Sequence, residues 1–424
     1  MRFPQSIPPL VIALLLTACD SCGVTPRDES QDVVLAQTLA GRGQVRGWTP
    51  LDSAARGPVL LYVDRSRSMR GFLDPQYPTR VPTDYRSVID AFDAGLAPQR
   101  VFGFGNRVQA AEKAGLGVLG NQGFYDDGNT EMEQVFDLIA ADTAEASTHV
   151  IIGDGRRSSP DVANNQYVRL RALADRWTAG GGTFLVAASR APFHPVKEDP
   201  SACGSEASEQ AGKVCPLYAF AFAAPGQESR VASTLARAFE HLFVAPLPAV
   251  AGSAVALVKS GQGGPDVDRS WARAADGTPI VRVRSDSALN VPARVAVLLR
   301  DSTLPLGRAQ LAALRGEGTE ARIFVRPLAD SSPGWRTSPP RGALVRTTAD
   351  PFVFEFFSRG ADNPAFLYRI ELRPTGVPGW LQDFDAEAAG DPLRTFGLGR
   401  LFERFRITVP ESGGSALTFY AAVN

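Results

Sequence analysis

Five side chains bearing short oxygen donors stand in an order that suits a hard divalent cation. Asp64, Ser66 and Ser68 lie in Asp64-Arg-Ser-Arg-Ser-Met69, directly after the apolar run Val59–Val63. Thr130 closes Gly128-Asn-Thr130 ahead of a helical stretch, and Asp154 lies in Ile151-Ile-Gly-Asp-Gly155 after a second apolar run. Carboxylate and hydroxyl oxygens, with no thiol or imidazole among them, match Mg²⁺ or Mn²⁺. Magnesium keeps waters in an octahedral shell, so the three oxygens of the first loop do not complete one alone. The same residues taken singly also suit turn formation and helix capping. Arg65, Arg67 and Arg70 interleave the first loop, and Arg156 and Arg157 follow Asp154. Five guanidinium groups there would form a rim for a carboxylate-bearing partner, or else point into water. Asp126 and Asp127, beside Gly128, are either further cation ligands or a solvated turn.

The elements that must position these residues are readable from periodicity. Residues 59–63, 101–104, 149–152, 184–188 and 217–223 are short apolar runs of strand type, and 81–94, 130–140, 167–179 and 231–243 have helical spacing. Strand and helix alternate, which predicts an α/β unit: a doubly wound, mostly parallel sheet over residues 57–247. Open sheets of this kind bind ligands beyond the carboxyl ends of their strands, where Asp64 and Asp154 fall. From residue 250 to 424 the pattern becomes period two, with strands at 280–284, 293–299, 323–325, 353–357, 367–372, 405–409 and 417–423 between Gly/Pro turns. That predicts a mainly antiparallel β-sandwich-like domain, with one helical insertion over 391–405 capped by Asp391 and opened by Pro392.

Taken in order, Asp64, Ser66, Ser68, Thr130 and Asp154 resemble the metal-ion-dependent adhesion site of the von Willebrand factor type A domain family. The likeness covers residues 57–247. It implies Ser66, Ser68 and Thr130 as direct or near-direct ligands, Asp64 and Asp154 as direct or water-mediated ones, and an acidic residue of a protein partner in the open coordination position. The function so implied is binding to a partner through Mg²⁺, with no catalysis. A structural envelope lipoprotein with a spacer domain and no metal-dependent binding is the alternative, and a metal-assisted hydrolase is a third reading.

The first residues read as an address. Arg2 precedes the apolar run Leu10–Leu16, too short to span a bilayer, and Leu16-Thr-Ala-Cys19 resembles a bacterial lipobox. The resemblance implies a signal peptide over residues 1–18, a lipid on Cys19 and a polar tether over 19–56, with membrane contact through that lipid. Asp20 favours the periplasmic side of the inner membrane over the outer membrane. Cys203 and Cys215 enclose a polar loop and are expected to form a disulfide, as export permits, while Cys22 has no assigned role.

Composition narrows the classes. The 424 residues exceed one ordinary domain, and Lys+Arg 44 against Asp+Glu 45 gives a net charge of -1, which argues against a nucleic-acid partner held by bulk charge. Three histidines leave little for a multi-histidine metal centre, and His149, His194 and His241 read as packed or surface residues. Neither a Gly-x-Ser-x-Gly elbow nor a phosphate-binding glycine loop is present.

Overall fold

The computed structural model describes Val33, Ala36, Gln37 and Ala40, and then residues 57–73, 84–111, 115–142, 147–155, 160–194, 214–247, 250, 252–260, 267–275, 277–284, 293–300, 304–315, 319–328, 334–337, 343–347, 352–358, 366–374, 377–386, 394–402 and 417–423. Among these, the first architecture is a seven-stranded sheet. Its elements are β1 (Val59–Asp64), α1 (Tyr85–Leu96), β2 (Arg100–Phe104), β3 (Gln109–Ala110), α2 (Glu133–Ala141), β4 (Thr148–Gly153), α3 (Pro160–Ala179), β5 (Thr183–Pro192), β6 (Val214–Ala223), α4 (Glu228–Ala238) and β7 (His241–Ala245).

Strand order is β3-β2-β1-β4-β6-β5-β7. Only β1–β2 and β1–β4 are parallel. The expected mostly parallel sheet is therefore mixed, and the reason lies in the connections. Parallel neighbours need a crossover, normally helical, whereas β5 and β6 meet end to end at Pro192↔Val214 and run antiparallel. β6 then inserts between β4 and β5, antiparallel to both. Residues 231–243 do not form one helix: α4 ends at Ala238, and His241–Ala245 is the edge strand, antiparallel to β5.

Alternation along β1 divides the core. Leu61 and Val63 face α1 and α4 through Val88, Phe92, Val231 and Leu235, while Tyr62 faces α2 and α3 through Val135, Phe136, Leu170 and Leu173. α1 starts cleanly because Asp84 accepts the backbone N–H groups of Arg86 and Ser87, a cap worth about 1 kcal/mol.

The second architecture is two facing sheets. One holds β8 (Val255–Lys259), β11 (Ala293–Leu299), β13 (Ala343–Thr347) and β14 (Val353–Ser358). The other holds β9 (Val267–Arg273), β10 (Pro279–Val283), β12 (Thr319–Pro327), β15 (Phe366–Pro374) and β18 (Leu417–Val423), in order β12-β15-β18-β10-β9. Val281, Val295, Phe354, Tyr368, Ile370 and Phe419 fill the space between them. The pairings are antiparallel except β10–β18, which is parallel. The strand expected at 405–409, and Asp391 and Pro392 of the expected helical insertion, lie outside the described residues. The described part of that insertion, 394–402, holds β17 (Thr395–Phe396), paired with β16 (Asp385–Ala386) from before the insertion, and the short helix α7 (Gly399–Phe402); the short helix α6 (Leu381–Phe384) leads into β16.

These late segments do not stay with the second pair of sheets. Leu381, Phe384, Leu398, Leu401 and Phe402 join the α2/α3 side of the first core. On the α1/α4 side, Leu306 and Ala309, at the start of α5 (Arg308–Arg315), pack into the first core. Both faces of the seven-stranded sheet are thus completed by residues from beyond position 300.

Candidate functional site

β1 and β4 run parallel, with Val63 opposite Ile152, so Asp64 and Asp154 emerge side by side from their carboxyl ends. The chain after Asp64 turns at once into a 3₁₀ helix, Arg67–Phe72, which returns Ser66 and Ser68 toward the carboxylate. The Ser66 N–H donates to Asp64 Oδ1 at 2.8 Å, and the Ser66 and Ser68 hydroxyls bond each other at 2.9 Å. Thr130 Oγ1 lies 3.4 Å from both carboxylate oxygens of Asp64. A Cβ at Gly153 would stand 3.0 Å from that of Asp64, so glycine lets the two strand ends close up. The structure thus brings Asp64, Ser66, Ser68 and Thr130 together and sets Asp154 on the adjacent strand end.

It also closes them in. Asp64 is 0% exposed, Asp154 3%, and Ser66 and Ser68 7% each. Gly155, at φ +72°, hands the chain on in a left-handed turn, and a Cβ there would meet the Tyr218 ring at 2.7 Å and Thr395 Cγ2 at 3.3 Å. The Tyr218 hydroxyl bonds Thr395 Oγ1 at 2.9 Å, which fixes the β16–β17 ribbon beside the Asp154 turn.

Of the five arginines expected to rim the site, Arg65, Arg67 and Arg70 lie among the described residues. Arg65 lays its stem over Gly103, where a Cβ would come within 2.0 Å of it, and its guanidinium sits 5.2 Å from the Phe124 ring. It donates from Nε to the Phe124 carbonyl at 2.9 Å and from Nη2 to Asp126 at 2.9 Å. Arg67 Nε reaches the Asp126 carbonyl at 3.3 Å, and Arg70 Nε donates to the Tyr125 carbonyl. These three arginines bind the 124–126 segment to the first loop. Arg156 and Arg157 lie outside the described residues.

The metal reading is corrected on these grounds. Among the described residues, no group of three or more His, Cys, Asp or Glu side chains comes together to hold a metal ion. The Ser66 and Ser68 hydroxyls bond each other, Thr130 lies against the Asp64 carboxylate, and Asp64, Ser66, Ser68 and Asp154 are buried. The expected Mg²⁺ or Mn²⁺, the adhesion site and the acidic partner residue completing it are withdrawn, and with them the resemblance to a type A domain bearing a complete site. Cys215 is disulfide-bonded. It is fully buried in β6, but Cys203 lies outside the described residues, so the bridge between these two is not shown. Cys19 and Cys22 also lie outside them.

A second polar cluster, not singled out in the sequence, occupies the other end of β4. His149 is 1% exposed; its Nε2 lies 3.1 Å from Asp142 Oδ2, and its Nδ1 lies 3.2 Å from the Tyr62 hydroxyl. Burial lowers the His149 pKa against the opposing pull of Asp142. Burial, reinforced by the Asp142 charge, pushes the Tyr62 hydroxyl up to about 12. At neutral pH the imidazole is therefore neutral, donating from Nε2 to Asp142 and accepting at Nδ1 from Tyr62. Asp142 and Trp177, whose indole meets the His149 ring edge-on, border a cavity of about 180 Å³ lined also by Ile139, Leu173, Arg176 and Pro225. The seven-residue gap from Asp142 to His149 matches no motif, so sequence offered no signal for the pairing.

Comparison with protein-family models, with curated proteins and with solved structures yields no match; what is shown is a mixed α/β architecture accompanied by mostly antiparallel sheets.

Proposed function

We propose that the chain is a lipid-anchored structural component of a bacterial cell envelope, in which the α/β part serves as a rigid spacer without metal-dependent binding or catalysis. The interleaving of the two architectures carries this reading. Leu306 and Ala309 on one face of the first sheet, and Phe384, Leu401 and Phe402 on the other, make one body of the two parts. A body so joined transmits position and load, and its buried strand-end oxygens offer no open ligand position. The lipobox-like Leu16-Thr-Ala-Cys19 supports the anchor, and Asp20 supports the periplasmic side of the inner membrane. Among the described residues no helix is long and apolar enough to cross a membrane.

Two measurements test the proposal. A bound ion at a hundred times its Kd would stabilise the fold by about 2.7 kcal/mol, so thermal unfolding with Mg²⁺, Mn²⁺ or chelator separates the readings. Coincident curves are expected, and a metal-dependent rise in melting temperature overturns the spacer reading. Fractionation of cells carrying Cys19→Ser is expected to move the protein out of the membrane fraction. Unchanged membrane association would remove the lipid anchor from the proposal.

A further inference from the structure

The segment between the proposed anchor and the first strand is not wholly a tether. Val33, Ala36, Gln37 and Ala40 have helical backbone, and their i, i+3, i+4, i+7 spacing sets them along one side of a helix. Ala36 is 0% exposed and Ala40 5%. With Val33 they pack against Ala272, Ile280, Leu367, Tyr420 and Ala422. Those residues lie on β9, β10, β15 and β18, on the side of the five-stranded sheet facing away from the inter-sheet core, to which Val281, Tyr368, Phe419 and Ala421 belong. The Tyr420 hydroxyl donates to the Ala40 carbonyl at 3.2 Å across a buried contact. Trp271 and Trp335 border the seat, the first with the Arg282 guanidinium 5.6 Å from its ring and the second with that of Arg369 at 4.8 Å. Alanines at the contact let backbone and sheet approach closely.

We infer that Val33, Ala36 and Ala40 form a clasp that fastens the tether to the outer face of the five-stranded sheet, so that the β-rich part, not the α/β part, lies next to the membrane. The orientation rests on the proposed lipid at Cys19; the clasp itself does not. Chain length supplies the argument. From Cys19 to Val33 a fully extended chain spans at most about 50 Å, whereas from Cys19 to Gly57 it would span about 130 Å. Docking therefore shortens the leash by more than half and assigns it to the second architecture. The seven-stranded sheet, although nearer in sequence to the anchor, is carried on the far side of the fastening point.

Hydrogen exchange on the mature full chain bearing Cys19→Ser tests the clasp without any lipid. Slow exchange over residues 33–40 is expected. Ala36→Glu, which puts a charge into the seat, is expected to raise exchange there while β1, β4 and β18 stay protected. Tyr420→Phe, which keeps the ring and loses the hydroxyl, should raise it less. Exchange over residues 33–40 at the rate of an unstructured chain in the unaltered protein overturns the clasp. For the orientation, lipidated protein on phosphatidylcholine vesicles with a head-group acceptor dye is compared with a donor at Arg322 or at Val168, both exposed. Stronger energy transfer from position 322, lost in Ala36→Glu, is expected; equal transfer from the two positions overturns the orientation. Absence of acyl label on Cys19 sinks the anchor alone, because exchange over residues 33–40 still reports the clasp.

Discussion

The two ends of β4 hold polar clusters built on opposite plans. At its carboxyl end, Asp64, Ser66, Ser68 and Thr130 are short side chains, three of them within five residues, satisfied by one another and by a backbone N–H. Toward its start, Asp142, His149 and Tyr62 come from three separate places and are joined through rings, with a cavity alongside. The first plan ties a turn into a fixed shape. The second leaves a titratable imidazole inside the protein, held neutral by burial. The residues most suggestive of chemistry here tie a turn, while the group whose protonation differs between folded and unfolded chain is one that composition made look inert.

Removing the carboxylate from the first cluster should give the largest effect. Asp64→Ala strands the Ser66 N–H in a site without solvent and deletes the partner of Thr130, at a cost of about 2–4 kcal/mol. Denaturant unfolding should show a lowered midpoint that Mg²⁺ does not restore. Asp64→Asn, which retains an oxygen acceptor for Ser66, should cost less than half as much. Equal losses in the two variants would mean that charge, and not hydrogen-bond geometry, holds the turn, and the contrast between the two ends would collapse.

An intermediate effect is expected where the first loop crosses β2. Gly103→Val would drive a side chain into the Arg65 stem and lift the guanidinium from the Phe124 carbonyl and Asp126. Overpacking of this kind costs about 1–3 kcal/mol. Proteolysis within the 124–127 turn should quicken in the variant, since that turn is held by the three arginines. At the other end, Tyr62→Phe removes one hydroxyl from His149 Nδ1 and should cost about 1 kcal/mol, read from the same unfolding curves.

Legibility followed sequence distance. Residues 293–299 alternate and 417–423 form a short apolar run between turn segments, and both strands are found at the expected bounds. The Asp-x-Ser-x-Ser run likewise reveals its place at a strand end, because a strand followed by a tight turn is a local event. Strand direction in the first sheet was not legible, since it depends on whether residues 193–213 cross over or double back, and periodicity carries no such information. His241–Phe243 reads as the end of a helix because α4 ends only three residues earlier and the apolar spacing runs on without a Gly or Pro break. Burial of the strand-end oxygens was least legible of all. It involves Thr395, placed against Tyr218 by a contact 177 residues long, and by a segment whose own sequence suggested a helix.

The smallest expected effect is also the one that best separates the two ends, because it depends on protons alone. His149 has its pKa lowered from 6.5, first by burial, with the Asp142 charge and hydrogen bond opposing. The unfolded chain therefore takes up a proton near pH 6.5 that the folded chain still refuses, and stability must fall with falling pH wherever the unfolded state binds more protons. The His149 contribution is fully present above pH 6.5, declines as pH drops below it, and stops changing once the folded imidazole is itself protonated. His241, stacked on Trp380 and also lowered chiefly by burial, adds a term of the same sign. Unfolding free energy measured from pH 8 down through the histidine range should thus slope downward in the unaltered protein. The slope should be shallower in His149→Gln and shallower still with His241→Gln added, while Asp64→Asn shifts the whole curve without changing its slope there. A slope that survives both histidine substitutions would place the proton uptake elsewhere and deprive the His149 end of its titratable character.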